Sequence, residues 1–111
     1  MTTGAAWNVS NPLKPWAYFD ADAVREIPFD WIDWLADIGA SYASHVITTH
    51  VDLECTNPTS GHVAGVIGAF INKAPAGADL VIGTKYWVTC HIVASDTQED
   101  DQTLWLKIVA R

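Results

Sequence analysis

The chain has 111 residues, half of them hydrophobic and only 17% charged, with a formal net charge of −7. That is one domain's length, enough for a core and too apolar for intrinsic disorder. Thirteen carboxylates against six Lys and Arg remove the attraction on which nucleic-acid binding mostly depends. No apolar run approaches a membrane span, and Met1 to Val9 lacks a basic segment followed by an apolar one, so neither a membrane anchor nor a signal peptide is read. Cys55 and Cys90 lie in apolar, strand-like stretches and read as buried thiols, a disulfide between them being the alternative. Six Trp exceed what one small core needs, and some are expected to meet partners.

Residues 1–25 read as an extended arm. Pro12, Pro15, Asn8, Ser10 and Asn11 break any regular period, yet Trp7, Trp16, Tyr18 and Phe19 are too aromatic for a disordered tail. Such an arm either straps its own domain or docks on a neighbour. Its charges cancel, Lys14 and Arg25 against Asp20 and Asp22, which leaves the whole −7 in residues 26–111.

From Glu26 the pattern becomes that of strands. Ile27, Phe29 and Trp31 alternate, and Pro28 marks an edge because proline cannot donate to a ladder. Asp33 to Ile38 closes at Gly39 as a single turn plugging the core. Ser41 to Cys55 is rich in β-branched residues and reads as one long strand or two, with Ile47, Thr49, Val51, Leu53 and Cys55 facing inward. After a turn at Asn57 to Gly61, His62 to Asn72 reads as one bulged strand with Val63, Ile67 and Ile71 aligned, and Lys73 to Ala78 is a loop. Val81 to Ser95 has the clearest alternation, Tyr86, Val88, Cys90, Ile92 and Ala94 against Trp87, Thr89, His91, Val93 and Ser95. Asp96 to Asp101 is an acidic turn, and Gln102 to Ala110 places Leu104, Leu106 and Ile108 inside and Trp105, Lys107 and Val109 outside. The expected fold is all-β, a β-sandwich of six to seven strands over 26–111 behind the 1–25 arm, its last two strands an antiparallel hairpin.

No catalytic, cofactor or metal site is read. His45 and His50 are an odd number of residues apart and cannot share a strand face, and His62 and His91 fit no ligand spacing. Asp30, Asp33 and Asp37 read as the wet side of an amphipathic cap, and the acidic run from Asp96 as a solvated turn that discourages edge aggregation. There is no nucleophile elbow and no phosphate-cradling glycine loop.

Asp22, Ala23, Val24, Asp30, Trp31, Asp33, Trp34 and Leu35, then Tyr86, Val88, Thr89 and Ile92, then Asp100, Asp101, Thr103, Leu106, Lys107 and Arg111 form a series that resembles the tailed-phage fiber-tail adaptor family. The resemblance covers about residues 20–111 and is carried by the two ends. It implies a single Ig-like antiparallel sandwich made in the host cytoplasm and built into the virion's neck or tail. There it would act without catalysis, joining fibers or neighbouring rings, as a homo-oligomer in a symmetric ring. On that reading Trp7, Trp16, Tyr18, Phe19, Trp87 and Trp105 are candidate partner contacts. Trp31 and Trp34 fill the sandwich end or face a partner, and Asp30 and Asp33 cap the turn or pair with a partner's Arg. The alternative is a carbohydrate- or receptor-binding module at a phage tail or fiber.

Overall fold

A computed structural model of the chain describes residues 15–109. In chain order the elements are β1 (Trp16–Asp20), β2 (Arg25–Asp30), α1 (Ile32–Ile38), β3 (Tyr42–Thr49), β4 (Leu53–Cys55), β5 (His62–Val63), β6 (Val66–Lys73), β7 (Lys85–Ala94) and β8 (Glu99–Val109). They form two sheets packed face to face. The first has strand order β1-β8-β7-β3; in the second, β6 pairs with β2 on one side and with β4 and β5 on the other. The expected all-β sandwich is present, with eight strands among the described residues rather than six or seven.

One pairing is parallel. Trp16 to Asp20 run alongside Trp105 to Val109, so the sandwich takes in residues that the sequence assigned to the arm. Ala17 and Phe19 are buried, Phe19 completely at 0% exposure, and both belong to the core cluster. The domain therefore begins before residue 26. Local periodicity missed β1 because it is five residues long, preceded by a proline, and paired with a strand at the far end of the chain.

The core forms where the inward sets of the two sheets meet. Ile27, Phe29, Ile67, Ala69 and Ile71 from the second sheet face Val88, Cys90, Ile92, Leu104, Leu106 and Ile108 from the first. Full burial of such side chains contributes about 1.5–3 kcal/mol each against the chain entropy lost. Both cysteines are free thiols, and burial pushes the Cys90 pKa up to about 12.

The segment after β2 is a two-turn helix rather than one turn. The Asp30 carboxylate accepts from the Ile32 N–H at 2.9 Å, and Gly39 in the left-handed region (φ 65°) ends α1. There the Gly39 and Ala40 amides return to the Ala36 and Leu35 carbonyls, which satisfies the last orphan acceptors. Trp31 is wholly buried, and the half-buried Trp34 meets its edge at 5.3 Å, so this pair fills the sandwich end. Among the described residues the Trp31 indole N–H has no oxygen or nitrogen acceptor and leans on the weakly accepting Cys90 sulfur.

Three further expectations change. Ser41 to Cys55 takes the two-strand form of the reading, β3 in the first sheet and β4 in the second, but Val51, expected inside, is exposed in the turn between them. His62 to Asn72 is a hairpin: Ala64 and Gly65 both take positive φ, 51° and 87°, between Val63 and Val66, so Val63 turns outward at 73% exposure. The strand period of β8 continues back through Asp101 to Glu99, which shortens the acidic turn.

Candidate interaction surface

The first sheet turns its second face outward, and register decides what stands there. Trp105 of β8 is paired with Trp87 of β7 on one side and with Trp16 of β1 on the other. Because Ala17, Tyr86, Leu104 and Leu106 point into the core, all three indoles project outward, and all are half-buried. Three Trp thus form one row across adjacent strands. The sequence placed Trp87 and Trp105 on an outward face; Trp16 joins them only because β1 pairs in parallel with β8.

The next row towards the end of β8 contains Tyr18, Lys107 and Lys85. Two lysines directly opposite each other repel. Here both ammonium groups lie over the Trp16 ring, Lys85 Nζ at 5.3 Å and Lys107 Nζ at 5.8 Å from its centroid, and the ring's negative face offsets the repulsion. Tyr18, 49% exposed, meets Trp16 edge to face at 4.8 Å, and its carbonyl accepts from Arg25 Nη1 at 2.7 Å.

On the other side of the Trp row, Thr89 and Thr103 face each other with hydroxyls 2.8 Å apart. Beyond them His91 stands opposite Asp101 and bonds two carboxylates, Nδ1 to Asp101 and Nε2 to Glu99, each at 2.7 Å. Both acceptors require N–H, so the arrangement suits the doubly protonated ring, and the Glu99 and Asp101 carboxylates raise its pKa. The face therefore grades from cationic through aromatic and hydroxyl to acidic.

Phe19, expected among the partner contacts, is in the core and out of a partner's reach. Trp7 lies outside the described residues. Trp31 and Leu35 are buried, and the Asp30 carboxylate accepts from the Ile32 N–H where α1 begins, so these contacts lie within the chain. The sequence put Lys107 beside Trp105 and His91 beside Trp87 on outward faces, but it did not join them, Lys85 and the two carboxylates into one surface, because only strand register brings them together.

A second constellation sits at the α1 end of the sandwich. His45, 2% exposed, donates from Nε2 to the Ser60 carbonyl at 3.1 Å and accepts at Nδ1 from the Tyr42 hydroxyl at 2.8 Å. His62 stacks on Tyr42 with ring centroids 3.8 Å apart, and its Nε2 accepts from the Gly65 N–H at 3.0 Å. Burial lowers both pKa values and holds the rings neutral. An open, largely apolar recess of about 290 Å³ adjoins them, lined by Ile32, Leu35, Tyr42 and His62 among others.

Fold and surface together define a small β-sandwich with an aromatic, charge-graded face on one sheet. No family model matches the chain, and comparisons with curated proteins and with solved structures also find no match.

Proposed function

We propose that this chain is a non-enzymatic assembly module that docks protein partners through the outward face of the β1-β8-β7-β3 sheet. The setting implied by the sequence resemblance is a tailed-phage neck or tail, where the module joins the particle to fibers or neighbouring rings. The observation that carries the reading is the Trp16-Trp105-Trp87 row. Trp and Tyr dominate the energetics of protein interfaces, and indoles lined up across adjacent strands supply rigid contact area at little entropic cost.

The titratable groups favour assembly over chemistry. The Cys90 thiol is buried and His45 spends both nitrogens on its neighbours. A sugar-binding reading needs open aromatic planes, whereas the Trp16 ring already carries two ammonium groups and the edge of Tyr18. Replacement of Trp87 or Trp105 by Glu is expected to block incorporation into particles, or capture of the partner protein, while circular dichroism and the melting transition stay those of the parent. Normal incorporation of both variants would overturn the proposal.

A further inference from the structure

The charge gradient on the outward face of the first sheet has a self-complementary pattern. Counted along β7 and β8, its rows are Lys85 with Lys107, then Trp87 with Trp105, then Thr89 with Thr103, then His91 with Asp101. Alternate residues on one face are about 7 Å apart. The midpoint of the four rows therefore falls between the indoles and the threonines.

We infer that the partner of this face is a second copy of the chain, packed face to face about a twofold axis that runs across the strands between the Trp and Thr rows. That axis places row one of each copy on row four of the other. Lys107 then meets the partner's Asp101, and Lys85 meets the partner's His91 with its bonded carboxylates. Trp105 and Trp87 lie on the partner's Thr103 and Thr89, and every contact occurs twice, as an isologous interface requires. A twofold axis along the strands would set lysine on lysine and acid on acid, so charge selects the first arrangement.

Two observations supply the valences. Among the described residues Lys85 and Lys107 have no salt-bridge partner, although the chain carries thirteen carboxylates. On the other side, His91 uses one oxygen from each of Glu99 and Asp101, and among the described residues the second oxygen of each has no partner and can accept from an incoming ammonium. Each row is three strands wide at about 4.8 Å spacing, because β1 flanks only the Lys and Trp rows and β3 only the Thr and His rows, and four rows give a footprint of about 400 Å² per copy, in the range of weak, exchanging contacts. The expected dimer is accordingly an exchanging one, dissociating at roughly micromolar concentration.

The inference rests on the docking reading above and names the occupant. Sedimentation of the full chain between about 1 and 200 µM tests it, with Lys107→Glu, Asp101→Lys and the double exchange compared with the parent. The parent is expected to show a monomer–dimer equilibrium, each single exchange to weaken it about tenfold or more, and the double exchange to restore it. All these positions face solvent, and K107Q with D101N gives the same two losses if a reversal disturbs folding. A parent that stays monomeric, a closed species larger than two, singles that dimerise normally, or a double exchange without rescue would each overturn the twofold contact. A monomeric chain that still enters particles through its Trp row would overturn this contact alone and leave the docking reading standing.

Discussion

Three histidines in this chain are held by different partners, and the partners dictate opposite responses to acid. His45 and His62 each use a ring nitrogen as an acceptor, from the Tyr42 hydroxyl and the Gly65 amide, and burial lowers both pKa values below the ordinary 6.5. The unfolded chain therefore takes up these protons first. Their contribution to stability is complete above pH 6.5 and is lost as the pH falls from there through the lower folded values. His91 has the reverse sign: its carboxylates raise its pKa, so its contribution is present below 6.5 and disappears as pH rises through the folded value. That site is exposed, and solvent screening keeps the effect small. An NMR titration of the ring protons should find His45 and His62 with midpoints below 6.5 and His91 above it, with a melting temperature that falls between about pH 7 and pH 5. Midpoints in the opposite order would contradict the assigned hydrogen bonds.

At the scale of the element, the β5–β6 hairpin shows what local sequence reveals and what it hides. Its two-residue turn holds Ala64 at φ 51° and Gly65 at φ 87°, both in the left-handed region, which glycine adopts freely and alanine does not. Ala64→Asn gives the Asn-Gly pair that this turn favours and is expected to stabilise the fold by about 0.5–1 kcal/mol, or roughly 4 °C in melting temperature. A calorimetric scan checks this, and a lower melting temperature would contradict the turn. In the sequence, Ala-Gly is a weak turn signal, so the alternation of Val63, Ile67 and Ile71 read straight through it. Alternation was reliable where it was long and polar residues filled the gaps. β7 and β8 face inward with the residues expected of them, and Ile47 and Leu53 are buried as read. β1 escaped because what defines it is a partner about ninety positions away, and no local period records that. The candidate surface divides the same way, with Trp87 and Trp105 legible from alternation and Trp16, Lys85 and the His91 pair assembled only by register.

For the whole molecule, the parallel pairing of β1 with β8 makes Trp16 to Asp20 part of the fold. A chain beginning at Glu26 loses Phe19 and Ala17 from the core and uncovers the edge of β8 along Trp105 to Val109. Removal of one buried aromatic side chain costs about 3–5 kcal/mol, a large share of a small domain's stability, and an open apolar edge invites association. The shortened chain is expected to lose its cooperative melt and aggregate. A cooperative transition like that of the parent would show β1 to be dispensable. The same strand also completes the Trp row, so one element closes the core and builds the outer face.

The central claim is that a second copy of the chain covers this outer face. Hydroxyl-radical footprinting of the full chain across a dilution series reads it directly, residue by residue. Oxidation of Trp16, Trp87 and Trp105 should fall as concentration rises, while Phe70, exposed on the second sheet, and Val81, exposed in the loop before β7, keep their rates. Equal oxidation of the three Trp at every concentration, or protection of Phe70 in their place, would contradict the account.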